Sequence, residues 1–329
     1  MRTSASRCST LLLLTTLVAA CIGGVAPVDA IHVAAVQLVP ASGASAILAS
    51  LYSALQVTDL LAHIAAGTLP TGGVAVGNAS GVRPDLVVFP EYTLLGNFST
   101  GTCGAPDKDL DMNHGCAEVP AAGADVDCSQ GSRDPIATIV CDIEARQYEN
   151  ITFSVNMCER CVGDSGPGGK CAVTKAQSPA PAWKPSNVSF FNTQVVVRGR
   201  KVLATYRKFH PWATDCYDTP ELQVRTFNLT TTGAGPSSSA SETFGLFTCF
   251  DIVFPQPADS LFAEGVRFVS YSSAIPLIAH DAVAIYSKTH NVTMVNANLQ
   301  PGQTSVVQRG ETQAKCGSYA ALCVAFGDV

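Results

Sequence analysis

Three observations predict an α/β fold. Apolar runs of strand length alternate with segments whose apolar residues recur at helical spacing. The alternation continues over most of the 329 residues without an internal repeat, and 47% hydrophobic content is ample for a buried core. Finally, three of the strand-like runs end on a polar, reactive residue, and strand ends are where open α/β sheets collect their chemistry.

Taken in order, residues 1–30 read as a secretory leader: Arg2 and Arg7, then LLLLTTLVAACIGG, then PVDA, whose small residues suit cleavage after Ala30. Thr15, Thr16, Gly23, Gly24 and Pro27 interrupt the run and argue against a membrane anchor; VAAC ending at Cys21 gives a lipoprotein signal as the lesser alternative. IHVAAVQLVP (31–40) is a strand ended by proline, and 44–67 is a helix with a glycine stop. DLVVFPE (85–91) is a short strand ending on Glu91, and 93–131, rich in Gly, Asp and Cys, is a loop stapled by disulfides.

Residues 134–150 form a helix and 151–159 a strand, followed by a second irregular, stapled stretch. Residues 190–208 are a hairpin turning at Arg198-Gly199 and ending on Lys208. After the low-complexity loop 233–242 comes the strand that ends on Cys249. A helix near 257–265, a strand at 267–274, a helix near 278–290 and a strand at 292–299 complete the pattern. The alternation favours a largely parallel central sheet, and no clear linker appears, so residues 31–329 are expected to form one domain.

Charge and cysteine content narrow the function. A net charge of −6 and the absence of any Lys/Arg-rich run make nucleic acid a poor partner. No second apolar run is long enough to span a bilayer, so no integral membrane segment is expected in the mature chain. Sequons at Asn78, Asn97, Asn150, Asn187, Asn228 and Asn291 suit a secreted glycoprotein. Thirteen cysteines less Cys8 and Cys21 of the leader leave eleven, an odd count where thiols tend to pair. With Cys249 as the spare, the other ten can form bridges.

The three strand-end residues are Glu91 in VVFPEY, Lys208 in ATYRKFHPW and Cys249 in LFTCFDIVFP. These segments resemble the glutamate, lysine and cysteine motifs of the nitrilase superfamily. FTCFDIVF with YRK is most similar to its vanin and biotinidase branch of secreted amidases. The likeness covers roughly residues 31–300, with all three motifs in the family's order. It implies a four-layer α-β-β-α sandwich and an amidohydrolase that needs no metal or organic cofactor. A thiol is mostly protonated at neutral pH, so Cys249 needs a base, and Glu91 in a desolvated pocket can supply it. Lys208 and the backbone N–H of Phe250 would hold the oxyanion, and Glu91 would then serve the leaving amine and the incoming water.

The resemblance also implies a second carboxylate after the lysine. The spacing selects Asp215, shorter than the family's usual glutamate, with Glu221 as a substitute. By position, Ser272 and Ser273 would line the substrate, a small linear amide of the pantetheine or biocytin kind. Alternatives are a nitrile hydrolase or an acyl or amide transferase using the same residues, or a non-catalytic glycoprotein on the same scaffold; a free thiol of low pKa would argue against the last. CERC (158–161) with Cys171 lacks a fourth ligand at zinc spacing and reads as disulfide-bonded. His210 and Asp251 read as structural.

Overall fold

The computed structural model describes residues 30–38, 46–77, 83–94, 115–130, 134–148, 150–175, 184–212, 216–230, 241–276 and 279–329. Residues 1–29 of the expected leader 1–30, together with Cys103, Asn78, Asn97 and Asp215, lie outside the described residues.

Two sheets form the centre. The first has seven strands in the spatial order β2 (Val74–Gly77), β15 (Leu322–Asp328), β1 (His32–Leu38), β3 (Leu86–Val88), β4 (Thr152–Val162), β6 (Val188–Arg198) and β7 (Lys201–Arg207). The second has six: β14 (Glu311–Lys315), β13 (Ser305–Gln308), β12 (Thr293–Asn298), β11 (Phe268–Ser273), β10 (Ser241–Thr248) and β9 (Thr226–Thr230). A small ribbon pairs β5 (Val173–Lys175) with β8 (Thr219–Pro220).

Strand β1 shows why the layers stack. Its side chains alternate between faces, so Val33 and Ala35 enter one apolar cluster while Ala34 and Val36 enter another. Between the sheets the first cluster joins Leu86, Val88 and Tyr206 to Leu246 and Val295, and it continues through the second sheet to Val269 on its outer face. The second packs the outer face of the first sheet against helices α1 (Ala46–Ala65) and α2 (Pro135–Ala145), through Leu60, Leu61, Ile136 and Ile139 among others. Helices α3 (Ala258–Ala263) and α4 (Ala279–His290) cover the second sheet through Ala258, Leu261 and Val283. The order is therefore α-β-β-α, as expected. A strand buried on both faces reads as a continuous apolar run, which is why HVAAVQL carries no polar alternation.

The helix beginning at Pro135 is fixed by its cap. Asp134 accepts hydrogen bonds from Ile136 N at 2.8 Å and Ala137 N at 3.3 Å, and proline occupies the first turn, where its missing N–H costs nothing.

Two expectations are corrected. The sheets are mixed, not largely parallel: β1–β3, β3–β4, β15–β2, β10–β11 and β11–β12 are parallel, while β1–β15, β4–β6, β6–β7, β9–β10, β12–β13 and β13–β14 are antiparallel. Hairpins extend both sheets, and the chain end returns to the first sheet, where Asp328 pairs with His32 in register. CERC, in turn, belongs to strand β4 and not to a loop. Residues three apart on a strand face opposite ways, so Cys158 bonds to Cys116 and Cys161 to Cys171. Cys128–Cys141 and Cys316–Cys323 are also bridged, and Cys216 is disulfide-bonded.

Candidate active site

Three chain reversals at strand ends bring Glu91, Lys208 and Cys249 together. After β3, Pro90 ends the ladder, and Glu91 N donates to the Ser273 carbonyl of the second sheet at 3.3 Å. Tyr92 follows in a left-handed conformation, φ 62°, with its N–H on Asn156 Oδ1 at 2.7 Å. Lys208 closes β7, its N–H on the Asn192 carbonyl at 2.8 Å. Cys249 leaves β10 with φ 51° and opens a short 3-10 turn, Cys249–Val253. A non-glycine residue held there stores about 1–3 kcal/mol of backbone strain. Tyr271 Oη, donating to the Cys249 carbonyl at 2.7 Å, helps hold it.

Lys208 Nζ donates to Glu91 Oε1 at 2.6 Å, and both side chains are shielded from solvent, at 0% and 1% exposure. Asn192 Nδ2 donates to the same oxygen at 2.8 Å, and Asn156 Nδ2 to Asn192 Oδ1 at 2.6 Å. Glu91 Oε2 is buried without a well-formed hydrogen bond, and the Cys249 thiol interacts with this carboxylate. One oxygen of Glu91 is thus saturated and the other remains open to receive a proton.

The electrostatics favour a resting thiol. Burial pushes the Cys249 pKa up and the Glu91 charge adds to it, outweighing the Lys208 cation and the Ala274 backbone N–H, which pull it down. The low-pKa thiol is therefore corrected: Cys249 is free, as the cysteine parity suggests, but neutral at rest and dependent on a base. Burial alone would push Lys208 down, yet Cys249 in its ionised form and the Glu91 and Asp251 carboxylates hold its pKa above the ordinary value. It stays an ammonium.

The fold has counterparts among known proteins. The chain is 29% identical over 252 residues to a biotinidase from Takifugu rubripes, covering 72% of this chain and 44% of that one. It therefore spans less than half the length of that relative. Saccharomyces cerevisiae Nit3, a member of branch 10 of the nitrilase superfamily, superposes with TM-score 0.57 at 17% identity, covering 91% of this chain and 89% of that one. The fold is that of the nitrilase superfamily. An amidase from Nesterenkonia in complex with butyramide shares this nitrilase-type fold, with TM-score 0.55 at 14% identity over 93% of this chain and 94% of that one. No protein-family model matches the chain.

Within this nitrilase-type fold the remaining expected residues divide. Asp215 lies outside the described residues. Glu221 accepts a hydrogen bond from Gly168 N at 3.1 Å. Phe250 follows Cys249 in the turn, its ring edge-on to Trp212 at 5.0 Å and to Phe254 at 5.3 Å. Ser272 and Ser273 are fully buried; their hydroxyls donate to the Phe89 carbonyl at 2.7 Å and to Asn296 Oδ1 at 3.1 Å, so both serve the framework behind the site.

Asp251 is the structural hub of the turn. Its Oδ2 accepts from Tyr206 Oη at 2.8 Å and from Thr248 N at 3.1 Å. Its Oδ1 accepts from His210 N at 2.9 Å and faces His210 Nδ1 at 3.0 Å. One carboxylate thus clasps the lysine loop to the cysteine turn. Asn156, Asn192 and Tyr92 were missed from sequence. Asn156 and Asn192 sit mid-strand, each a buried amide among other buried polar residues, so the sequence pattern does not single them out.

Proposed function

We propose that the chain is a secreted amidohydrolase of nitrilase type that cleaves a small linear non-peptide amide through a thioester on Cys249. The observation that carries the reading is the buried contact of Glu91 with both Lys208 and the Cys249 thiol. A carboxylate, an ammonium and a thiol sealed together supply a base, an oxyanion partner and a nucleophile.

In this reading the thiol proton passes to Glu91 as sulfur attacks the amide carbonyl. The carbonyl electrons move to oxygen, where Lys208 Nζ and the Phe250 N–H stabilise them. Collapse breaks the C–N bond, Glu91 returns the proton to the departing amine, and an acyl thioester remains. Glu91 then takes a proton from water, which attacks the thioester, and the acid leaves as the thiol is restored. The buried site favours this chemistry because charge interactions are strong where water is excluded.

Secretion is supported by the bridges and by exposed sequon asparagines at Asn150, Asn187, Asn228 and Asn291. No helix among the described residues is long and apolar enough to cross a membrane. The substrate is a pantetheine- or biocytin-like amide, a proposal that rests on the sequence likeness to biotinidase. The test is release of cysteamine from pantetheine and of lysine from biocytin, with Cys249→Ala as control. Turnover of neither, alongside hydrolysis of a nitrile or of a protein, overturns it.

A further inference from the structure

Two buried asparagines tie the Glu91 loop to the strands behind it, Asn156 on β4 and Asn192 on β6. The antiparallel register sets Asn156 opposite Gln194 and Cys158 opposite Asn192, so the two asparagines are diagonal neighbours on one face of the first sheet. Each also holds a chain reversal through its main chain. The Asn156 carbonyl accepts Leu94 N at 3.1 Å, and the Asn192 carbonyl accepts Lys208 N at 2.8 Å.

An amide side chain can be turned either way, and here one backbone group settles both turns. Tyr92 N can only donate, so the amide atom 2.7 Å from it is Asn156 Oδ1. Asn156 Nδ2 is then left to donate to Asn192 Oδ1 at 2.6 Å, and Asn192 Nδ2 in turn donates to Glu91 Oε1 at 2.8 Å. Lys208 Nζ donates to that same oxygen at 2.6 Å, while Glu91 Oε2 has no well-formed partner. Reversing either amide would set donor against donor or oxygen against carboxylate.

We propose that Asn156 and Asn192 form a positioning relay that fixes the Glu91 carboxylate, with Oε1 tied back and Oε2 presented as the base for Cys249. The inference deepens the proposed amidase reading and rests on it. Both residues act through Glu91. Loss of one hydrogen bond to a charged group costs about ten- to a hundredfold in the step that uses it.

The test compares Asn156→Asp with Asn156→Leu in the full chain, using p-nitrophenyl acetate. The Cys249 sulfur bonds to the acyl carbon, the C–O bond breaks to release p-nitrophenolate, and Glu91 takes the thiol proton. That leaving group needs no proton, so the initial rate reads the base alone. Release is followed at the isosbestic wavelength of p-nitrophenol and the Cys249→Ala rate is subtracted. Each variant is divided by the wild type at the same pH, which removes the titrations of Glu91, Lys208 and Cys249 that the chains share.

A protonated carboxyl at position 156 has the shape of asparagine, with a carbonyl for Tyr92 N and an O–H for Asn192 Oδ1. The ionised form keeps the first contact and loses the second. Asn156→Asp should therefore stay within about threefold of the wild type at acid pH and fall at least about tenfold as the carboxyl ionises, with its near-ultraviolet circular dichroism unchanged. Asn156→Leu should be at least about tenfold slower at every pH. If Asn156 merely holds the Tyr92 turn, the ionised carboxylate holds it too, and Asn156→Asp stays fast throughout. That result overturns the proposal, as do wild-type rates in Asn156→Leu, equal slowing of both variants at all pH, or a fall that accompanies unfolding. A wild-type chain whose Cys249 is not acylated overturns it as well. Amide hydrolysis is scored separately: the expected acylation pattern without it sinks only the amidase reading, and hydrolysis without the pattern sinks only the relay.

Discussion

Lys208 and Glu91 are joined at 2.6 Å with both side chains sealed from water, and the Asn192 amide shares the same carboxylate oxygen. Two ions buried together stabilise each other only as a pair, so removing one leaves an uncompensated charge. Lys208→Met or Glu91→Gln should each cost about 3–5 kcal/mol in chemical denaturation. The double variant should regain much of that loss while staying inactive. Lys208→Met should also lower kcat at least about a hundredfold. A double variant that unfolds as readily as the singles would show that the pair contributes more than mutual charge neutralisation.

The same cluster fixes how Cys249 titrates. Burial and the Glu91 charge raise its pKa, so the thiolate forms at higher pH than in an ordinary cysteine. The rate of native alkylation by iodoacetamide should therefore be low at neutral pH and climb through the alkaline range. Glu91→Gln removes the opposing charge and leaves Lys208, so the profile should move to lower pH. Peptide mapping of the alkylated chain measures both. Fast labelling below neutrality in the wild type would contradict the electrostatics.

Stapling should matter most where the closed loop is longest. Cys116 and Cys158 are 42 residues apart, Cys161 and Cys171 only 10. On the chain-entropy account the first bridge is worth about 4 kcal/mol and the second about 3 kcal/mol. Replacing each pair by serines should reproduce that order in denaturant midpoints. The first bridge also packs against Tyr217 and Phe190, so its loss should loosen that cluster as well. Equal effects of the two replacements would favour strain or packing over loop entropy.

The three strand-end residues were legible because each closes an apolar run with a reactive group, and that pattern survives in one dimension. The helices at 46–65 and 135–145 were legible by periodicity and, for the second, by Asp134-Pro135. The C-terminal strands were not. ETQAK is exposed at four of five positions and carries little apolar signal. LCVAFGD acquires its meaning only from pairing with β1, nearly 300 residues away in sequence. Ser272 and Ser273 misled because position along a strand does not say which atom a hydroxyl meets; Phe89 and Asn296 come from other strands or their ends. Glu221 likewise meets Gly168, a residue more than fifty positions away that its own sequence context does not name.

Asp251 offers the sharpest test of how the cysteine turn is held. All four of its well-formed contacts need an acceptor or a charge: Tyr206 Oη and Thr248 N on Oδ2, His210 N and Nδ1 on Oδ1. Asparagine has the same shape but only one acceptor oxygen. Whichever way the amide turns, its NH₂ faces a backbone N–H, donor against donor, so Asp251→Asn should cost about 1–3 kcal/mol although no volume changes. Because the residue clasps the Lys208 loop to the Cys249 turn, kcat should fall more than KM rises. The loss should depend on its partner: in wild type Tyr206→Phe removes a good hydrogen bond, whereas beside Asp251→Asn it removes a donor that the amide can no longer fully satisfy. Tyr206→Phe should therefore destabilise the Asp251→Asn chain less than the wild type, a coupling read from a double-mutant cycle in urea. Strict additivity would mean that the two residues act independently, and the turn would then owe its geometry to packing of Phe250 and Phe254 instead.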